Sequence, residues 1–197
     1  MAIVQGECAP RFAALREAFE KSFGAGEEVG ASFAATQDGE LVVNLWGGHA
    51  DALLSRAWQR DTIANVFSTT KAMAALCLHM LADRGKLDLD APVARYWPEF
   101  AAAGKSALPV RHLLSHRAGL AALRTRLPTE ALWDWRRMTD ALAAEAPWWE
   151  PGSANGYHAM TYGFLVGEVL RRADGRTLGA FFRDEVARPL GADFHIG

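Results

Sequence analysis

The segment that most constrains the fold is the apolar run AMAALCLHMLADRG, which follows Ser68-Thr-Thr-Lys71 and closes on Gly85. It carries almost no polar face, so a helix formed from it must be buried over most of its circumference. A glycine directly after such a run is a typical helix stop signal. The sequence therefore predicts one buried helix over about 69–84.

Ser68 and Lys71 lie three residues apart at the start of this helix. Residues at that spacing share one face, so the Lys71 amine can reach the Ser68 oxygen. Unpaired N–H groups at a helix start favour developing negative charge. A serine hydroxyl needs a neighbouring base to become a good nucleophile, and a lysine serves where burial or positive potential lowers its pKa. The pattern S-x-x-K occurs by chance about once in a chain of this length, so the pattern alone is weak evidence. The prediction of a nucleophilic serine therefore depends on the apolar helix that follows Ser68.

Composition and charge argue against several classes of function. Half of the 197 residues are hydrophobic and the net charge is −2, with no basic stripe that would suit a nucleic acid. The longest apolar run, 72–82, is too short to span a bilayer, and the first residues lack the pattern of a signal peptide. Cys8 and Cys77 are too few for a disulfide framework. We therefore expect free thiols, a cytoplasmic location and no membrane partner.

The remaining pattern predicts a β-hairpin and many helices. The hairpin is expected over 29–36 and 40–46, and a further short strand near 62–67. Thr129 is the expected N-cap of one helix, and Gly163 and Gly167, four apart, suggest close helix packing. Besides the buried helix, helices are predicted over 11–23, 110–115, 129–146, 160–172 and 177–188.

Three stretches follow one another in an order that resembles one protein family. They are FSTTK with its helix and the LDLDAPVARYWPEF that follows, VRHLLSHRAGL (110–120), and WWEPGSANGYHAMTYGFLVGEVLRR (148–172). With the closing EVARPLGADF, they resemble the serine β-lactamase and penicillin-binding superfamily over roughly 29–197, in its class C β-lactamase-like and family VIII carboxylesterase branch. The resemblance implies an α+β (α/β) fold of the β-lactamase/transpeptidase-like type. An antiparallel sheet flanked by helices and a helical subdomain over roughly 85–170 are expected.

The resemblance also implies roles for individual residues. Ser68 would be the nucleophile that forms an acyl-enzyme, and Lys71 would accept its proton. Tyr157 would be a second base, or the acid that protonates the leaving group. A neighbouring ammonium favours the phenolate, so the pKa of this tyrosine can lie below its usual value near 10.

No cofactor and no metal are expected. His112 and His116 are four residues apart on a predicted helix, as in some metal sites. The glutamate of an H-E-x-x-H zinc site is absent between them, which favours a structural role for both.

The chain departs from the family pattern in the loop at Tyr157. The family's Y-x-N element is here Tyr157-His158-Ala159, so the asparagine carboxamide is absent, which favours an ester over a β-lactam. Trp149, His158 and Ala159 are assigned to the substrate-binding side. The tryptophans of this region either form an apolar wall for an acyl group or fill a core: Trp133, Trp135, Trp148 and Trp149.

A second departure lies after the P-L-G segment. Members of the family continue with strands that bear a K-T-G, H-x-G or W-G-G element, which lines the cleft and supplies the second oxyanion N–H. Because no such element is found, residues 1–197 are expected to be the N-terminal portion of a single domain, without its C-terminal sheet strands. A second chain or a missing C-terminal segment would complete the sheet. An exposed apolar surface beside the hairpin and the Ser68 helix is expected.

The sequence thus predicts a serine hydrolase that cleaves small-molecule carboxylic esters through an acyl-enzyme on Ser68. A β-lactamase or a D-amino-acid peptidase is the alternative among enzymes. A non-catalytic, penicillin-binding-like fragment is the alternative of a different class.

Overall fold

A three-stranded antiparallel sheet lies in the first of two units, which ends at Ala64, in a computed structural model that describes residues 4–197. The strands β1 (Val4–Cys8), β2 (Gly30–Gln37) and β3 (Glu40–Gly48) stand in the order β1-β3-β2, and α1 (Ala13–Gly24) connects β1 to β2. Asp38 and Gly39 both have positive φ and form the two-residue turn between β2 and β3. The predicted hairpin is confirmed.

The strand β1 is absent from the sequence-based prediction. It pairs with β3 over its whole length, and Gly6 at its centre has a φ of 99°. A Cβ on Gly6 would lie 2.0 Å from the carbonyl oxygen of Asn44, so only glycine fits this close approach of the two strands. The alternation of Val4, Gly6 and Cys8 with polar residues is the signal that could have revealed it.

The hairpin leaves large apolar side chains in contact with solvent. Val29, Phe33 and Leu41 are 40–56% exposed. The continuous apolar surface expected beside the hairpin and the Ser68 helix stays a prediction. The further strand expected near 62–67 is wrong, because residues 62–66 form no regular element and Phe67–Thr69 form one turn of 3₁₀ helix. The Asn65 side chain accepts the Phe67 N–H at 3.0 Å, a local bond that competes with strand pairing.

The second unit, Asn65–Gly197, is built from helices. The apolar run forms α2 (Thr70–Asp83), which buries Ala74, Cys77, Leu78 and Leu81 and is followed by Gly85 at a φ of 68°. The helix and its glycine stop are therefore confirmed, whereas burial over most of its circumference is wrong, because Ala72, Leu76 and His79 form an exposed face. The other helices are α3 (Val110–Leu114), α4 (Trp135–Ala144), α5 (Thr161–Asp174), α6 (Leu178–Phe182) and α7 (Arg188–Leu190). The helical subdomain expected over 85–170 would lie inside this unit, and its bounds stay a prediction.

The helix predicted over 129–146 is divided at Asp134. Thr129–Trp133 forms a 3₁₀ turn, and Asp134 then caps α4 by accepting the Arg137 N–H at 3.0 Å. The expected N-cap at Thr129 is therefore wrong, because the helix with a conventional cap begins five residues later.

The segment predicted as one helix over 177–188 is a continuous but irregular helical stretch. Thr177 caps α6 by accepting the Ala180 N–H at 3.2 Å. A π-helical stretch, Arg183–Ala187, then leads into α7.

One of the two glycines of α5 provides a close contact. At Gly167 a Cβ would lie 2.6 Å from the indole of Trp135, so the missing side chain lets α4 approach. At Gly163 a Cβ would meet no heavy atom within 4 Å, and the close packing expected there is wrong.

A buried carboxylate joins α4 to α5 beside this contact. Glu168 is 1% exposed and accepts hydrogen bonds of 2.7–2.8 Å from Trp135 Nε1 and from the guanidinium groups of Arg171 and Arg172. Burial alone would raise the pKa of Glu168, but the bonds from the two arginines and from the indole lower it to about 2. The carboxylate is therefore ionised at neutral pH.

Replacing Glu168 with alanine should lower the free energy of unfolding by about 3 kcal/mol, because it leaves an indole N–H and two cations without their acceptor. This figure is at the low end for a buried pair, since both arginines stay partly hydrated. The pKa falls from 4.5 to about 2 on folding, so the stabilisation is present above pH 4.5 and disappears as the pH falls towards 2. Denaturant titrations at pH 7 and pH 3 measure both effects. Glu99→Ala, which removes an exposed carboxylate from Arg172, is the matched control, and an equal loss in both variants would contradict the prediction.

Candidate active site

Ser68 lies in the 3₁₀ turn directly before α2, where its side chain is exposed. The preceding residue, Phe67, has a φ of 44°, a conformation that non-glycine residues adopt rarely and at a cost in energy. The hydrogen bond from Phe67 N–H to the Asn65 side chain supports this conformation. Ser68 is thus presented at the positive end of α2.

Lys71 reaches back from the first turn of α2 to the serine. Its Nζ donates to Ser68 Oγ at 3.1 Å and to the main-chain oxygen of Ala159 at 2.9 Å. The same nitrogen lies 5.1 Å from the ring centroid of Tyr157 and 5.8 Å from that of Tyr162. The contact that the i, i+3 spacing predicts between serine and lysine is therefore present.

Tyr157 completes this cluster from the loop that follows Pro151-Gly152. The interaction with the Ser68 hydroxyl is the main cause that lowers the pKa of Tyr157; burial opposes it, and the neighbouring amine of Lys71 lowers the pKa further. The structure thus brings the three residues selected from the sequence to one point. A hydroxyl, an ammonium-forming amine and an acidified phenol in contact can pass a proton between them.

Main-chain hydrogen bonds fix the position of the loop that carries Tyr157. We name residues 115–120 the α3 exit segment and residues 147–158 the tyrosine loop. The N–H of Trp148 donates to the carbonyl of Gly119 at 2.7 Å, and the N–H of Gly156 donates to the carbonyl of His116 at 3.1 Å. The tyrosine loop is therefore bonded to the α3 exit segment near both of its ends.

His158 is fully buried, and the substrate contact expected for it is wrong. Its Nδ1 lies 2.6 Å from the Gly156 oxygen, and its Nε2 accepts the N–H of Leu120 at 3.0 Å. This pattern assigns the ring proton to Nδ1. Burial is the main cause that lowers the pKa of His158, so the ring is neutral and both of its nitrogens are used within the protein.

Trp149 also packs within the tyrosine loop. Its Nε1 donates to the Ala154 oxygen at 3.1 Å, and a Cβ on Gly156 would lie 2.4 Å from its ring. Trp149 therefore helps to shape the loop, and because it is only half-buried the expectation that it contacts substrate stays a prediction. Ala159 contributes to the site through its main chain, since its oxygen holds Lys71.

An apolar cavity of about 890 Å³ opens beside Lys71 within the second unit. Of the four tryptophans considered for an acyl-binding wall, Trp133 and Trp135 line this cavity. Trp133 is 86% exposed at its rim. Other lining residues are Phe67, Ala159, Met160 and Phe164. The lining is mainly apolar and also includes Lys71, Arg171 and Arg183, so it suits a ligand with a hydrocarbon part.

Within residues 4–197, no group of three or more histidine, cysteine, aspartate or glutamate side chains is placed to hold a metal ion. The two histidines at metal-like spacing have separate neighbours. His112 packs against Gly152, where a Cβ would lie 2.6 Å from its ring, whereas the ring of His116 packs against Tyr157. Cys8 and Cys77 are free thiols, and no helix of the described part of the chain is long and apolar enough to cross a membrane.

Three known proteins show how this chain is related to others. It is 41% identical over 195 residues to the esterase/beta-lactamase LipL of Mycobacterium tuberculosis, across 98% of this chain and 45% of that protein. A penicillin-binding protein homologue from Caulobacter crescentus superposes with a TM-score of 0.95 at 48% identity, across 99% of this chain and 53% of that one. A family VIII carboxylesterase superposes with a TM-score of 0.90 at 51% identity, across 96% and 52%. The chain spans about half the length of these relatives.

A family model described as "Beta-lactamase" matches residues 15–197. That range contains the helix that bears Ser68 and Lys71, the α3 exit segment and the tyrosine loop. The β-lactamase/transpeptidase-like fold expected from the sequence is confirmed by these matches. The chain belongs to the beta-lactamase family.

Proposed function

We propose that the protein hydrolyses small carboxylic esters through an acyl-enzyme on Ser68. The observation that carries this proposal is the contact of Ser68 Oγ with Lys71 Nζ at 3.1 Å, next to a tyrosine whose pKa is lowered by both residues. The similarity to an esterase/beta-lactamase and to a family VIII carboxylesterase supports the same class of reaction.

The reaction would begin when Ser68 Oγ attacks the carbonyl carbon of the ester. The hydroxyl proton passes to the pair formed by Lys71 and Tyr157, which returns it to the oxygen of the departing alcohol. A water molecule then attacks the acyl carbon and gives a proton to the same pair. That proton returns to Ser68 Oγ as the carboxylic acid leaves. The positive end of α2 stabilises the oxyanion in both steps.

The surroundings of Lys71 favour an ester over a β-lactam. Ala159 presents only a methyl group and a main-chain oxygen, and the oxygen is bonded to Lys71. A lactam with an amide substituent would find no side-chain partner there. The apolar cavity beside Lys71 suits the hydrocarbon part of an ester.

In the full-length protein, kcat/KM for a short p-nitrophenyl ester should exceed that for a chromogenic cephalosporin by about tenfold or more. This is the effect expected when the amide substituent of the cephalosporin finds no hydrogen-bond partner. Ala159→Asn restores a carboxamide at an exposed position and should shift the ratio towards the cephalosporin. Equal values for the two substrates in the wild-type protein would favour the β-lactamase or D-amino-acid peptidase alternative.

The non-catalytic alternative is separated by covalent labelling. A fluorophosphonate reacts with an activated serine, and the p-nitrophenyl ester reports turnover. Labelling without turnover would indicate a penicillin-binding-like protein that acylates and stops, and absence of both would contradict the proposed function. A cytoplasmic location and a second chain or further segment that completes the sheet stay predictions.

A further inference from the structure

His116 lies among the aromatic rings of the candidate active site although the sequence marks no catalytic role for it. Its ring centroid is 4.8 Å from that of Tyr157, 5.0 Å from Tyr162 and 5.5 Å from His158. Its backbone has a φ of 58°, which a non-glycine residue adopts at a cost in energy. Such conformations persist where the surroundings enforce them, and they concentrate at functional sites.

Two hydrogen bonds connect His116 to the residues on either side of Tyr157. Its main-chain oxygen accepts the N–H of Gly156 at 3.1 Å, and its ring Nδ1 accepts the N–H of His158 at 3.1 Å. One residue therefore fixes the main chain immediately before and immediately after the tyrosine, while its ring packs against the phenol.

We propose that His116 is a positioning residue, which in its neutral form holds the Tyr157 hydroxyl at Ser68 and Lys71. The proposal rests on the function proposed above. His116 does not take part in proton transfer. It acts through Tyr157, because the direction of a phenol is set by the main chain that carries it and by the ring that it packs against.

The bond to His158 requires an unprotonated Nδ1, since a protonated imidazole has no acceptor nitrogen. The groups that face His116 are Lys71 from α2, Tyr162 from α5, and Tyr157 and His158 from the tyrosine loop. Burial, followed by the charge of Lys71, lowers the pKa of His116 below 6.5. The ring is therefore neutral at pH 7, and the positioning bond is lost as the pH falls through this lowered pKa.

The test measures fluorophosphonate labelling and ester hydrolysis by the full-length protein between pH 4.5 and 9. His116→Ala should slow labelling at pH 7 by about 10–100-fold with little change in KM, the scale expected when a proton-transfer group is misplaced by about 1 Å. His116→Asn should recover most of the rate, because asparagine tolerates positive φ and offers a side-chain oxygen to the His158 N–H. Since asparagine does not titrate, the acid limb of the wild-type profile should move to lower pH in this variant.

His79→Asn is the matched control, because His79 is an exposed histidine on α2, and it should change neither rate nor profile. If the wild-type protein is not labelled, the proposed function fails. If it is labelled and His116→Ala reacts equally fast, the positioning role is overturned. If the acid limb of the pH profile is unchanged in His116→Asn, the requirement for the neutral ring is overturned. The pH profile of His116→Asn also tests the proposal if His116→Ala fails to fold.

Discussion

Replacing Ser68 with alanine is expected to abolish covalent labelling and to lower kcat for a p-nitrophenyl ester by about 10⁴–10⁶-fold, as removal of a serine nucleophile does. The substitution deletes the only atom that forms the acyl bond. It should leave the fold intact, because Ser68 is exposed and Lys71 keeps its hydrogen bond to the Ala159 oxygen. Mass spectrometry of the intact full-length protein after incubation with a fluorophosphonate measures the adduct directly.

The matched control for this variant is Ser106→Ala, which removes another exposed serine hydroxyl from the second unit. It should be labelled and should turn over ester at the wild-type rate. A Ser68→Ala protein that still gains one fluorophosphonate adduct would show that a different residue is acylated.

Replacing Tyr157 with phenylalanine should lower kcat by about 10²–10⁴-fold with little change in KM, because the ring remains and the proton-transfer group is deleted. The phenylalanine can keep the packing against His116 at 4.8 Å and the cation–π contact with Lys71 at 5.1 Å. The wild-type rate should also rise with pH through a pKa below 10, as the phenolate fraction increases, and this limb should vanish in the variant.

Tyr96→Phe provides the control for the loss of a phenol hydroxyl, since the Tyr96 oxygen accepts the Asp88 N–H at 2.8 Å in the connection after α2. That variant should keep its kcat and its pH profile. If Tyr157→Phe retained the wild-type kcat, the role of Tyr157 would be limited to packing.

Sequence periodicity was sufficient to predict the helices and strands whose apolar pattern is clear within their own residues. The run after Lys71 is apolar on almost every face, so α2 could be predicted together with its glycine stop and its contact between Ser68 and Lys71. The strand β1 was missed because an alternation over five residues is too short to distinguish a strand from a loop. The helix predicted over 129–146 is divided at Asp134, because the Asp134 side chain accepts the Arg137 N–H and caps α4 there. The sequence did not show that this cap would form in place of the one expected at Thr129.

Side-chain direction in the tyrosine loop could not be predicted from the sequence. His158 stands next to Tyr157 in the chain, yet one ring is buried and the other is 54% exposed. Their separation follows from bonds to residues about forty positions earlier, such as that from Leu120 N–H to His158. The role of His116 was equally hidden, since it depends on a positive φ and on a bond to the His158 N–H.

The bonding of the α3 exit segment to the tyrosine loop also determines where the chain can change in length. Residues 125–127 lead from the α3 exit segment towards the next helical turn, form no helix or strand, and are mostly exposed. Ala122 and Arg124, just before them, are bonded to residues 145–148 and are therefore fixed. Lengthening a surface loop costs little free energy, because the entropy of closing it grows only slowly with the number of residues. Residues inserted at 125–127 would leave the paired segments and Tyr157 in place, whereas one residue added between Gly152 and Tyr157 would displace the phenol from Ser68. The same protein can therefore acquire new surface at 125–127 while its candidate active site keeps its geometry.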